Sequence, residues 1–283
     1  MKVQIISDST CDLSPELIKK YGVRIVPLHI VLGDVEHKDG ETITPDEIYK
    51  WSDENKATPK TSALGIETVT EVYKEYLDGD TQIVIFSISG HMSTTVNVMR
   101  MAAEELGQEE NVFVIDSQNL STGIGLQVIE AAIMAQNGKS ASEIYEHIMN
   151  IQPRVRASFV VDTLTYLHRG GRCSSVAALA GSALKLHPRI AVNEGKMSAG
   201  KKYRGKIESV IMDYVKELEP ELRNAETDRV FITHSGCDEA LLKQIHDYIE
   251  SLGIFGEILT TRAGCVISSH CGPNTLGVLF ISK

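Results

Sequence analysis

Three short apolar runs set the frame for this chain: residues 3–7 (VQIIS), 81–88 (TQIVIFSI) and 111–116 (NVFVID). Each is rich in β-branched residues and has the length of a buried strand. Each ends in small polar residues and then enters a segment with apolar positions at helical spacing. Strand, polar turn and helix repeated in that order is the pattern of a parallel sheet covered by helices on both faces. Helix starts are marked by Ser14-Pro15 and Thr44-Pro45, which put a capping side chain beside a proline at the first helical position. Ser117 and Ser121 precede another helix, and a further one opens at Ser140. Between the first two helix starts, residues 23–32 read as a strand pair or a bent strand broken at Pro27, which has no N–H for a ladder.

Beyond residue 155 the pattern changes. A strand (SFVVDT, from Ser158) leads into TLTYLHRGGRCSS, read as a short helical turn, a Gly-Gly break and a new helix capped by Ser174 or Ser175. The Ala-rich apolar run 176–186 continues it as a buried helix. Residues 189–193 and 196–201 form a hairpin turning at Glu194-Gly195. Helices at 205–219 and 238–252 alternate with strands at 229–234, 255–261 and 276–281. The expectation is an α/β protein of two domains. Residues 1–155 form an α/β/α domain with a mainly parallel sheet, and residues 156–283 an α+β domain with a mixed or antiparallel sheet.

With 283 residues the chain is long enough for two cores, and its net charge of −10 argues against a nucleic-acid or anionic-membrane partner. No apolar run approaches the ~20 residues of a membrane helix. The N-terminus, MKVQIISDSTCDLS, lacks the apolar core and cleavage site of a signal peptide. Five dispersed cysteines without a CxxC pair fit a reduced, cytoplasmic setting. His270, Cys271, Cys265 and Cys237 match no common zinc spacing, so no metal site is expected. There is no GK[ST] phosphate loop and no G-x-S-x-G elbow.

Polar clusters fall where strands end or helices begin. Ser7-Asp8-Ser9-Thr10 follows the first strand, in the position where open α/β sheets bind ligands, although such residues equally make capping and turn networks. Thr61-Ser62 lies in a loop before a helix and serves either as its cap or as an anion contact. Ser89-Gly90-His91 follows the strand 81–88. Arg169 and Arg172 flank Gly170-Gly171: the arginines offer planar donor forks for a carboxylate or phosphate, and the glycines permit close backbone approach. His234 and His270 sit in late polar clusters, where a lone histidine usually has a structural role.

Taken together, SDSTCDL at 7–13, KTS at 60–62, SISG at 87–90, VIDS at 114–117, VDTLTYLHRGGRCS at 161–174, HSG at 234–236 and HCGP at 270–273 resemble the DegV family of bacterial fatty-acid-binding proteins. The motifs span nearly the whole chain in the family's order. The resemblance implies a long-chain fatty acid in a tunnel between two domains and no other cofactor. It implies that the carboxylate is held by Thr61, Ser62, Ser89 and Gly90, by Arg169 or Arg172, and by His270, with His91 as an added donor. It also implies a carrier without catalytic residues, which presents the carboxylate to a separate fatty acid kinase for phospholipid synthesis. The expected tunnel lining is at 25–32 and 176–186.

The chain departs from the family pattern at four places. Ala63-Leu64-Gly65 follows the TS pair in place of Gln-Pro-Ser, and His91-Met92-Ser93 follows SG in place of Thr-Tyr-Gln. His187-Pro188-Arg189 replaces Lys-Pro-Ile, and Asn274 replaces a glycine. Two other classes stay open at this level. One is an enzyme of acyl or phosphoryl transfer using Asp8, Ser89 and His270. The other is a lipid-sensing regulator whose surface changes on binding.

Overall fold

The computed structural model describes residues 2–173 and 186–283. The first half contributes strands β1 (Lys2–Asp8), β2 (Arg24–Val26), β3 (His29–Leu32), β4 (Val35–Lys38), β5 (Lys60–Ser62), β6 (Thr81–Ser87) and β7 (Val112–Asp116). The second contributes β8 (Val155–Val160), β9 (Leu186–Asn193), β10 (Lys196–Arg204), β11 (Arg229–His234), β12 (Glu257–Arg262) and β13 (Leu276–Ile281). The chain is a mixed α/β fold, as the sequence predicts.

Strands in the order β2-β1-β6-β7 make a four-stranded sheet that is parallel throughout. The order β10-β9-β8-β13-β11-β12 makes a six-stranded mixed sheet, antiparallel except for the β11–β12 pair. A small antiparallel sheet, β4-β3-β5, stands apart from both. The break at Pro27 therefore separates two sheets: β2 ends one residue before it in the parallel sheet, and β3 begins two residues after it in the small one.

One helix lies between the two large sheets. The helix Thr122–Gln136 is buried around most of its circumference, from Thr122 through Ala132 with one exception. It packs against β1 and β6 on one side and β8 and β13 on the other. A helix that is apolar on all faces needs cover on all faces, and two sheets supply it. Other helices cover the outer faces: Thr95–Glu105 and Ile66–Lys74 on the parallel sheet, Ile207–Glu217 and Glu239–Ser251 on the mixed sheet. No helix among the described residues is long and apolar enough to cross a membrane.

Several local expectations are corrected. Thr61 and Ser62 lie in strand β5 and do not cap the helix that follows; its N-cap is Gly65, with no side-chain cap. The polar stretch before the last strand contains a helix, Cys265–Cys271, that periodicity did not reveal. The Ser174 or Ser175 cap and the Ala-rich helix fall outside the described residues, except that Leu186, expected at its end, opens β9. Two departures from the family pattern fit their backbone. Asn274 occupies a left-handed position (φ 56°), which asparagine tolerates best after glycine. His187 is buried in β9, with its ring nitrogens 3.2 and 3.3 Å from the carbonyls of Val161 and Gly205.

Candidate functional site

The SDSTCDL segment is the hub from which the site is built. Its three polar anchors reach into three other parts of the fold. Asp8 accepts hydrogen bonds from the Thr10 amide (3.0 Å), the Thr10 hydroxyl and the Ile88 amide (2.8 Å), which fixes the loop after β6. Burial nonetheless pushes its carboxyl up to about 6, because three donors do not replace bulk water. Ser9 accepts from the Leu28 amide (3.1 Å) and donates to Asp39 (2.8 Å). Asp12, left-handed at φ 50°, accepts from the Ser121 hydroxyl (2.5 Å) and the Gly264 amide (2.8 Å).

Asp12 and Asp39 together hold one helix. Asp39 accepts from the Cys265 amide (2.7 Å), so two buried carboxyls take the first two N–H groups of the Cys265–Cys271 helix. Helix N-termini favour such partners, since their amides have none within the helix. Burial raises the pKa of both acids. This arrangement orients the far end of that helix, where His270 lies.

His270 Nε2 and Thr61 Oγ1 share a hydrogen bond of 2.9 Å, which joins the helix to β5. The other ring nitrogen, Nδ1, is buried without a partner. It lies against Gly170, where an added Cβ would meet it at 2.3 Å. Burial, and secondarily the charge of Arg172, lowers the imidazole pKa to about 4, so the ring is neutral at pH 7. The two glycines thus have separate tasks. Gly170 makes room for the imidazole, and Gly171 takes the left-handed position (φ 68°) that ends the Thr165–Gly170 helix. Arg172 then turns back, donating to the Gly170 carbonyl (2.6 Å) and the Met92 carbonyl (3.5 Å).

These groups rim a cavity enclosing about 560 Å³ of space free of protein atoms, its open mouth included. The polar rim consists of Thr61, Ser62, Ser93, Arg172 and His270. The body is apolar, with Leu28, Ile88, Met92, Leu120, Met197 and Ile267 on its walls. Among the described lining residues Arg172 is the only permanent charge, and no carboxylate faces it. A second, smaller cavity of about 340 Å³ adjoins the first and shares Leu120, Ile267 and Cys271 with it.

Of the eight residues singled out in the sequence, Thr61, Ser62, Arg172 and His270 converge on the cavity. The other four do not line it. The Ser89 hydroxyl is buried and donates to the Gly195 carbonyl (2.7 Å), which fastens the β9–β10 turn to the loop after β6. Gly195 needs its lack of a side chain there, at φ 76° with an added Cβ only 2.5 Å from that hydroxyl. The Gly90 amide donates to the Asp116 carboxylate (3.2 Å). The His91 ring rests against Gly195. Arg169 reaches the Lys56 carbonyl at 3.5 Å. Asp8, Ser89 and His270 share no hydrogen bond; each is committed to other partners, so no catalytic relay links them. Of the stretches expected to line a tunnel, Leu28 does so, Ile25 faces a separate surface groove, and residues 176–185 are outside those described. Sequence reading missed Ser93, Leu120, Met197 and Ile267. Ser93 carried a signal, since it lies three residues after Gly90 in the polar segment that follows β6. The apolar three did not, because they come from three distant segments.

A model of one family matches residues 2–283. The chain belongs to the DegV family. Among curated members, a DegV domain-containing protein of Caldanaerobacter subterraneus subsp. tengcongensis is 31% identical over 284 residues, covering 100% of this chain and 99% of its own. A fatty-acid-binding DegV family protein from Thermus thermophilus shares the fold with a TM-score of 0.91 and 32% identity, covering 100% of both chains. A stearic-acid-binding protein from Eubacterium ventriosum superposes with a TM-score of 0.86 and 29% identity over 100% of this chain and 99% of its own. DegV membership leaves the SDSTCDL and RGGR segments with a clear division of labour here: the first positions elements, the second closes the cavity rim.

Proposed function

We propose that this DegV family chain binds a long-chain fatty acid non-covalently, with the carboxylate at the rim formed by Thr61, Ser62, Arg172 and His270 and the alkyl chain in the apolar cavity. The observation that carries the reading is the composition of that cavity among its described lining residues: hydrocarbon walls, one guanidinium and no carboxylate. An amphiphile with an anionic head fits such a wall and rim. Each buried methylene contributes roughly 0.8 kcal/mol, so the chain supplies most of the affinity and the rim sets its direction.

The neutral His270 serves as a relay of hydrogen bonding. With the proton on Nε2 the imidazole donates to Thr61 and frees the threonine hydrogen for the ligand carboxylate. The opposite tautomer would bury an unpaired N–H at Nδ1, at a cost of about 1–3 kcal/mol. Ser89 and His91 act in holding the hairpin against the cavity mouth, Gly90 ties the same loop to Asp116, and Arg169 acts outside the site. The cavity runs between a domain of residues 1–155 and one of residues 156–283, and the protein is a carrier that presents its carboxylate to a separate kinase. The relatives known to bind fatty acids and the commitments of Asp8 and Ser89 to structural partners favour a carrier over an acyl- or phosphoryl-transfer enzyme.

Organic extraction of the purified chain followed by mass analysis tests this. One fatty acid per chain is the expected result. An extract without lipid, together with an unchanged melting temperature on addition of fatty acids, overturns it.

A further inference from the structure

The two cavities meet at a partition. Leu120, Ile267 and Cys271 line both, and no other described residue does. Ile267 and Cys271 are one turn apart on the Cys265–Cys271 helix, so they present one apolar edge. Leu120 faces them from the loop after β7, just before the helix Thr122–Gln136. The inner cavity lies against the mixed sheet, with Phe159 on β8, Thr233 on β11 and Leu279 on β13 among its walls.

Its hydroxyl groups are already spoken for. Thr233 Oγ1 bonds Thr122 Oγ1 (2.6 Å) and Thr261 Oγ1 (3.2 Å), Ser235 donates to the Gly272 carbonyl, and Thr275 donates to the Cys271 carbonyl (3.0 Å). The chamber therefore offers hydrocarbon surface and no free hydroxyl from these residues, and the other polar ring in its described lining, His234, is held by the Gly236 and Cys237 amides on Nδ1 (3.3 and 3.2 Å). It suits the end of an alkyl chain and penalises a chain that ends in a hydroxyl or a carboxylate.

The position of Leu120 is held by an unusual backbone. The next residue, Ser121, sits at φ 52° and ψ −144°, a region close to one that is normally reserved for glycine. Its hydroxyl bond to Asp12 fixes that conformation. A side chain on such a constrained loop is set in place rather than free to drift.

We propose that Leu120, Ile267 and Cys271 form a gate through which a long acyl chain enters the inner chamber, and that this chamber sets the chain length the protein prefers. The inference rests on the fatty-acid reading of the outer cavity and adds its length selectivity. Short chains end before the gate and are read by the outer cavity alone. Chains that pass it gain about fourfold in affinity per methylene buried beyond it.

Binding of octanoate, dodecanoate, hexadecanoate and ω-hydroxyhexadecanoate to the full chain, stripped of lipid, tests the gate. Ala263 lines the inner chamber and not the outer one. Ala263→Leu is expected to weaken hexadecanoate at least tenfold and leave octanoate within twofold. Phe159→Leu, which enlarges the same chamber, is expected to shift the preferred length upward. Should Ala263→Leu not fold, Leu279→Phe narrows the chamber from the opposite wall and carries the same expectation. The ω-hydroxyl is expected to cost at least tenfold against hexadecanoate. If wild-type chain binds hexadecanoate but the narrowing variants weaken all lengths equally or none, the gate is wrong and the fatty-acid reading stands. If wild-type chain binds no acid of any length, both fall.

Discussion

The imidazole of His270 and the backbone of Gly170 approach so closely that a methyl group at 170 would lie 2.3 Å from Nδ1. This contact and the Thr61 hydrogen bond fix the ring from two sides. Gly170→Ala is expected to push the ring off Thr61 and weaken fatty-acid binding at least tenfold. Gly171→Ala acts on the backbone instead. Its left-handed position costs an L-residue about 1–2 kcal/mol, read as a lower melting temperature, with binding less affected. Isothermal titration and thermal melts on both variants separate the two. Equal binding loss in both would show that the glycine pair acts only through the loop.

Arg172 is the cation at the rim, and among the described residues it donates to the Gly170 and Met92 carbonyls. Arg172→Gln removes the charge and keeps donors in place. A charge-assisted bond to a carboxylate contributes about 1.5–3 kcal/mol, so a loss of roughly tenfold to a hundredfold in affinity is expected. Arg169→Gln, at a residue that does not line the cavity, is expected to change affinity less than threefold. Fatty alcohols provide the control, because a neutral head should be indifferent to Arg172. Equal losses for acid and alcohol would remove the guanidinium from the head-group site.

Buried acids and buried imidazoles pull stability in opposite directions below pH 7. Asp8 is raised from 3.8 to about 6, so in that interval the folded chain keeps a proton that the unfolded chain has released. Its contribution is fully present below the lower value and fades as pH rises through about 6. His270 and His234 are lowered from 6.5 to about 4, mainly by burial. Their contribution is present above 6.5 and fades as pH falls toward 4. For the deeply buried Asp8 and His270 each effect is on the order of 3 kcal/mol, and for the half-buried His234 it is smaller because solvent screens it. Melts of wild-type chain and Asp8→Asn are expected to diverge, with the wild-type advantage shrinking between pH 4 and 6 and level above. For His270→Gln the wild-type advantage should shrink as pH falls from 6.5 to 4. A pH-independent offset in both would refute the assigned shifts.

The parallel sheet and its helices were legible because local pattern decides them. Strands β1, β6 and β7 alternate with capped helices, and the caps at Ser14, Thr44 and Ser140 are where the sequence places them. Pro27 was legible as a break, but not as the division between two sheets, since sheet partners are far apart in sequence. The Cys265–Cys271 helix was not legible at all. Its seven residues are too few for a periodic signal, and its N-terminus is satisfied by Asp12 and Asp39, more than two hundred residues away. Ser89 was expected as a head-group contact because the family resemblance implies it for the Ser-Gly turn after β6. Its actual partner, the Gly195 carbonyl, lies in a hairpin no local rule connects to it.

All five cysteines are buried thiols outside any disulfide, which bears on chemical reactivity. Burial pushes the thiols of Cys11, Cys237 and Cys271 up to about 12, and that of Cys265 upward as well. The thiolates of these four are therefore scarce at pH 8. Native chain is expected to take up iodoacetamide far more slowly than denatured chain, with five sites modified only after unfolding. Rapid native labelling of Cys271, which lines the cavities, would mean that they open to water.

Ser121 combines two effects that separate variants can divide. Its backbone (φ 52°, ψ −144°) is unfavourable for any residue with a Cβ, by about 1–3 kcal/mol. Its hydroxyl donates to Asp12 at 2.5 Å, inside the network that anchors the Cys265–Cys271 helix. Ser121→Ala loses the bond and keeps the strain. Ser121→Gly loses the same bond and relieves the strain. Both are expected to be less stable than wild type or level with it, and glycine should exceed alanine by about 1–3 kcal/mol in denaturant melts. The two should also differ in binding. Both lose the bond that fixes the backbone before the helix, so both should blunt the discrimination between hexadecanoate and dodecanoate, glycine more than alanine because it adds freedom at 121. Equal stability of the two variants would show that the backbone at 121 relaxes without cost, and that the hydroxyl bond alone holds Leu120 at the partition.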